Sequence, residues 1–187
     1  MLSCISIGHD SNNCNIFSDI SFTALPGAVV KITGKNGAGK TTFLRILSGI
    51  ITPKYGEIFF KPGSDLHYVG HNLGIKDDFT VLEQLVFWSD LFGTRILIPA
   101  AAKYTELECL FDEACYKLSA GQRQKLAIAK LLLSGSNIWI LDEIDSSLDE
   151  DNIILLKNLI ASKANNKGII IFSSHRDLIP YSFKIDI

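Results

Sequence analysis

Apolar residues repeat along this chain in two ways, and the switch from one to the other marks its elements. Val29-Val30-Lys31-Ile32-Thr33 is a β-branched run that ends in glycines, and Thr41–Ser48 then carries Phe43, Leu44 and Leu47 at helical spacing and stops at Gly49. The pattern predicts a strand, a glycine loop and a helix. Further on, Asn137–Leu141 is a continuous apolar run that ends in two acids, Asp151–Ser162 has the spacing of an amphipathic helix, and Gly168–Ser173 is a second buried strand. Strands that are apolar on both faces and alternate with helices predict a mostly parallel sheet covered on both sides, an α/β fold.

Between these regions the pattern is helical only. Thr80-Val81-Leu82-Glu83 has the capping-box form and opens a helix expected to reach Phe92, with a second helical stretch expected over Ala100–Ala114. Residues 73–117 are therefore expected to form a helical insertion on the α/β core. No repeat or low-complexity linker is evident, so residues 1–187 are expected to form one domain.

Composition narrows the function. A chain of 187 residues with 47% hydrophobic positions can bury one sizeable core, which excludes wholesale disorder. Eighteen Lys and Arg against twenty Asp and Glu leave a formal charge of -2, without the broad basic footprint of a nucleic-acid or anionic-lipid binder, so no nucleic-acid partner is expected. The densest apolar stretches, Leu126–Leu133 (broken by Lys130) and Ile138–Leu141, fall short of the ~18–20 residues a membrane span needs. The first residues, MLSCISIGHDSNN, lack both a basic and an apolar signal region, which predicts a chain that stays in the cytosol. Cys4, Cys14, Cys109 and Cys115 form no CxxC pair and are expected to be buried small hydrophobes.

The chemistry enters at Gly34-Lys35-Asn36-Gly37-Ala38-Gly39-Lys40-Thr41, which matches G-x-x-x-x-G-K-[ST] directly after a strand and at the start of a helix. Glycines let the backbone wrap closely around phosphate, with successive N–H groups and the positive helix end facing the anion. Lys40 supplies a charge for the β- and γ-phosphates, and the Thr41 hydroxyl can ligate Mg²⁺. Thr42 completes the expected ATP-binding set. Asp142 and Glu143 stand at the carboxyl end of a buried strand, where open parallel sheets bind ligands. In a phosphate-loop protein the first would hold Mg²⁺ and the second would polarise the attacking water.

Leu118-Ser119-Ala120-Gly121-Gln122 precedes a helix with Leu126, Ala129 and Leu133 on one face, and Ser119 with Gln122 fits a second capping box. With this segment twenty residues ahead of Asp142, the chain from Ile20 to about His175 resembles the ATP-binding cassette ATPases, whose signature usually reads LSGGQ. The resemblance implies a phosphate-loop core with a helical subdomain and a small antiparallel β edge. It also implies that two copies pair head to tail, so that Ser119, Ala120, Gly121 and Gln122 of one face the ATP held by the other. It makes Ser146-Ser147-Leu148-Asp149 the loop that crosses the dimer seam, His175 the switch histidine, and Asn72 the counterpart of a Mg²⁺-contacting glutamine. Finer features resemble the ATP-binding subunit of the haem exporters of cytochrome c maturation: Ala120 in the signature, the phrase Tyr68–Lys76 followed by Thr80–Glu83, and Trp139. From these follow a separate membrane permease as partner and a peripheral position on the cytoplasmic face of the inner membrane.

The chain departs from the family pattern in several places. Asn72 is one methylene shorter than glutamine, Ile144 replaces the proline after the catalytic glutamate, Lys130 stands where arginine is commoner, and no aromatic stands at residues 10–12 to stack adenine. Two other readings remain open: a soluble cassette ATPase acting on nucleic acid or ribosomes, and a small-molecule kinase, which would leave Leu118–Gln122 and His175 unexplained.

Overall fold

The apolar runs read as strands are strands in the computed structural model, which describes the chain apart from residues 12, 13, 71, 146 and 147. In chain order the elements are β1 Leu2–Ser11, β2 Cys14–Ala24, β3 Val29–Thr33, α1 Lys40–Leu47, β4 Tyr55–Phe60, β5 Leu66–Val69, α2 Val81–Phe92, α3 Ile98–Tyr104, α4 Ala120–Leu133, β6 Ile138–Asp142, α5 Glu150–Asn165, β7 Ile169–Ser173 and β8 Phe183–Asp186. They divide into two units. One comprises Met1–His71, Ser136–Ser146 and Leu159–Ile187, the other Asn72–Gly135 and Ser147–Asn158.

The first unit holds a five-stranded sheet in the order β5-β6-β7-β3-β8, parallel throughout. Ser173 pairs with both Asp142 and Ile32, so β3, β6 and β7 end level, and the residues that follow them start from one edge. The expected antiparallel edge is a second sheet, β2-β1-β4. Both sheets share a core with α1: Val30, Ile32, Ile140 and Ile171 meet Phe43 and Leu47, and Leu2, Ile7 and Phe17 join from the antiparallel sheet. Phe17 meets Phe43 edge to face at 5.5 Å. Burying one such ring contributes roughly 1.5–3 kcal/mol.

β1 and β2 escape a reading of alternation for a physical reason. Leu2, Cys4 and Ile7 are all buried, but the phase slips between Cys4 and Ile7, where Ser6 takes a left-handed φ of 47° and the pairing register shifts. Asp19 at φ 58° gives β2 a similar break. Bulges of this kind flip the inward set from one parity to the other.

The second unit is helical. Thr80 caps α2 as expected, its N–H donating to Glu83 Oε2 at 2.8 Å and its hydroxyl accepting from Glu83 N–H at 3.2 Å. The helix predicted over Ala100–Ala114 is instead α3 followed by turns. Glu106, at φ 56°, donates to Lys103 O while Leu107 N–H donates to Ala102 O, and fully buried Leu107 folds back on the unit's core. This pair of bonds, closed by an apolar contact, is a Schellman stop. The unit also reaches beyond 73–117: Leu126, Ala129 and Leu133 of α4 share one apolar cluster with Val81, Leu85 and Trp88 of α2. Among the cysteines, Cys4 and Cys115 are buried, and burial pushes the Cys4 thiol up to about 12. Cys109 is exposed, against expectation.

Candidate active site

β3 runs straight into the glycine loop, and the loop is closed by its own lysine. Lys40, 7% exposed, donates from Nζ to Gly34 O at 2.9 Å and to Lys35 O at 3.1 Å, while Ala38 N–H donates to Lys35 O. Gly39 opens α1 at φ 103°, and a Cβ there would lie 2.4 Å from Ile16 Cγ2, so both the backbone and the space demand glycine. Having no side chain, Gly39 cannot cap the helix. The first intrahelical bond is Phe43 N–H to Gly39 O, which leaves the N–H groups at the helix start for an anion.

Facing the loop are the residues that follow β6 and β7. Glu143 sits at φ 53°, its N–H held by Ser173 O at 3.2 Å and Ser173 Oγ at 3.1 Å. This left-handed turn costs roughly 1–2 kcal/mol in a non-glycine residue and bends the chain out of the sheet, so that Glu143 Oε1 lies 3.0 Å from His175 Nε2. Asn36, Gly37, Gly39, Lys40, Thr41 and Thr42 line one side of a cleft of about 450 Å³, and Glu143 and His175 line the other. A phosphate-binding backbone, a cation, a hydroxyl and a carboxylate–imidazole pair thus converge on one space. That combination suits attack by water on a phosphoanhydride.

Asp142 lies behind this pair, 3% exposed, with Oδ1 accepting from the Ser173 hydroxyl at 2.7 Å and Oδ2 from the Tyr68 hydroxyl at 3.4 Å. Burial pushes the Tyr68 hydroxyl up against the opposing pull of Arg45. Ser174 donates to Asp145 Oδ2 at 2.6 Å and accepts from Arg176 N–H at 2.9 Å, which fixes the turn that carries His175. Reading the sequence missed Tyr68, Ser173, Ser174 and Asp145. The polar run after β7 was the one available signal for the serines.

The remaining predicted site residues lie in the helical unit. Ser119 caps α4: its hydroxyl accepts from Gln122 N–H at 3.2 Å and its N–H donates to Gln122 Oε1 at 2.9 Å. Ser119 and Ala120 are exposed, so this helix start is open to solvent. A Cβ on Gly121 would meet Asp149 Oδ2 at 3.3 Å and Asn152 Nδ2 at 3.4 Å, which leaves little room for a larger residue. Asn72 Oδ1 accepts from Gly74 N–H at 2.9 Å, closing its own turn. Lys130 donates to Leu73 O at 3.3 Å from above the Trp88 ring, and burial holds its pKa below the usual lysine range. Of the expected seam loop, Leu148 and Asp149 are described, and Asp149 Oδ1 accepts from Asn152 N–H at 2.9 Å. Ser146 and Ser147 lie outside the described residues.

Residues 17–146 match the protein family described as ABC transporter, a stretch that takes in the phosphate loop, the α4 signature and Asp142–Glu143. The chain belongs to this family. Among its relatives, the cytochrome c biogenesis ATP-binding export protein CcmA of Rickettsia typhi is 40% identical over 193 residues, covering 99% of this chain and 97% of the relative. The protein of the same name from Rickettsia felis is 41% identical over 182 residues, covering 94% and 93%. In fold, the chain is similar to an ABC transporter ATP-binding protein from Pyrococcus furiosus, with a TM-score of 0.86 and 24% identity over 99% of this chain and 96% of that one.

As a member of this family the chain is an ABC ATPase. Nucleotide binding belongs to the family. Among the described residues, no helix is long and apolar enough to cross a membrane.

Proposed function

We propose that the chain is the ATP-hydrolysing subunit of an exporter for cytochrome c biogenesis, with haem as cargo, working as a head-to-tail pair on a separate multispanning permease at the cytoplasmic face of the cell membrane. One observation supports the hydrolytic part above all: Glu143 and His175, in contact with each other, face the phosphate loop across one cleft. The names of the Rickettsia relatives support the export pathway.

In this reading the N–H groups of Asn36, Gly37 and Gly39 through Thr42 and the Lys40 charge bind the triphosphate, while the Ala38 N–H stays on Lys35 O. Glu143 orients the attacking water and accepts its proton, and His175, bonded to Glu143 on one side, reaches the γ-phosphate. Asp142 fits a hydrated Mg²⁺, because its two hydroxyl donors leave lone pairs on both oxygens and Thr41 stands on the cleft wall. Thr41 and Asp142 are the residues that would hold the ion. Bound there, Mg²⁺ would offset charge on the phosphate oxygens. The partner's site is completed by Ser119, Ala120, Gly121 and Gln122 at the open start of α4. The Ser119 hydroxyl accepts within its cap, so its own hydrogen remains a donor.

The permease is taken to dock in a groove along α2 lined by Phe79, Leu82, Val86 and Phe87 together with Asp78 and Glu83, with the Lys76 ammonium 3.9 Å from the Phe87 ring centroid. Leu82 and Phe87 are exposed there, as expected of an interaction site. Affinity purification from native membranes tests the proposal. A multispanning protein should co-purify with the wild-type chain and be lost with Leu82→Glu. Recovery with ribosomes or nucleic acid would favour the soluble cassette reading.

A further inference from the structure

Lys31 is the one charged residue in β3, and it is not part of the cleft lining. Val30 and Ile32 face the core shared with α1, so the alternation of β3 turns Lys31 to the opposite face of the sheet. Its side chain is only 8% exposed. There Nζ donates to Arg176 O at 2.9 Å and to Asp177 Oδ1 at 3.0 Å, with the Tyr181 ring centroid 5.6 Å away. Both hydrogen-bond acceptors lie in the segment that follows His175.

An ammonium this buried is poorly explained by stability. Its partner Asp177 is 76% exposed, and replacing a buried charge by an apolar side chain of similar volume is commonly neutral or stabilising. Placement is the better account. Lys31 stands three residues before Gly34, on the strand that carries the phosphate loop, and grips the backbone one residue past His175. Ser174 grips the same turn from the other side through Asp145. These two anchors hold the residues on either side of His175.

We infer that Lys31 is a positioning residue for ATP hydrolysis: it ties the phosphate-loop strand to the His175 turn and so sets the His175–Glu143 contact. The inference rests on the catalytic reading of that pair, and it goes further in assigning a part to a side chain that does not line the cleft.

The test is a double-mutant cycle on the full-length chain, read as kcat, KM and melting temperature. Lys31→Met should melt no lower than wild type and keep its KM for ATP, while kcat falls by on the order of tenfold, the scale of a small misplacement of a reacting group. In a His175→Ala background the same change should cost nothing more, because the group it places is gone. Asp177→Ala, which removes one of the two acceptors at the surface, should show a smaller loss with the same dependence on His175, and it decides the matter if Lys31→Met does not fold. An undiminished kcat in both Lys31→Met and Asp177→Ala, or an equal loss with and without His175, would overturn the positioning role while the catalytic reading stands. Wild-type turnover by His175→Ala alone would overturn both.

Discussion

Glu143→Gln should bind ATP as tightly as wild type and hydrolyse it roughly a hundredfold or more slowly, the range expected when a general base is removed. Glutamine keeps the shape and can still accept from His175 Nε2, which lies 3.0 Å from Oε1, so the cleft should keep its geometry. What it lacks is the charge that draws a proton from water. Single-turnover hydrolysis measures the loss, and calorimetry checks that affinity is kept. Because ATP then persists, the variant should also double its mass by light scattering when ATP is added. Undiminished turnover would remove Glu143 from the role of base.

The next largest effect is expected from Lys40→Ala. Nζ supplies the positive charge opposite the phosphates and also bridges Gly34 O and Lys35 O, so the change removes a ligand and loosens the loop. A hydrogen bond to a charged group contributes about 1.5–3 kcal/mol, and losing one such bond raises Kd about tenfold to a hundredfold. Its two loop bonds leave the ammonium one hydrogen for the triphosphate, so the expected rise is about tenfold to a hundredfold. Calorimetric titration with ATP checks it; wild-type affinity would contradict the phosphate-loop assignment.

The parts of this molecule that sequence made legible are those where one local rule decides. Gly34–Thr41 needs only its spacing after a strand, and the caps at Thr80 and Ser119 need only a hydroxyl three residues before a Glu or Gln; both caps close as expected. Apolar runs located β3, β6 and β7, and resemblance to the cassette ATPases supplied the antiparallel edge that alternation did not, since bulges at Ser6 and Asp19 scramble its parity. Legibility fails where the deciding partner is distant in sequence. Ala100–Ala114 has helical composition, yet α3 ends at Tyr104 because buried Leu107 turns the chain back. Lys31, Tyr68 and Ser173 lie on three strands of one sheet, far apart in sequence, and only the fold brings them to the turn after His175 and to Asp142.

The composite site is the central claim, and complementation between two damaged chains tests it most directly. Lys40→Ala removes the phosphate cation from a chain's own loop. Ser119→Arg places bulk and charge at the exposed start of α4, at a capping cost of about 0.5–2 kcal/mol that the fold should tolerate. Each variant alone gives two damaged sites and should be nearly inactive, with Ser119→Arg still binding ATP. In a mixed dimer both lesions fall in one site and the other is wild-type, so ATP turnover should reappear on mixing. Turnover by Ser119→Arg alone at the wild-type rate, or a mixture no more active than its components, would contradict a site shared between two copies.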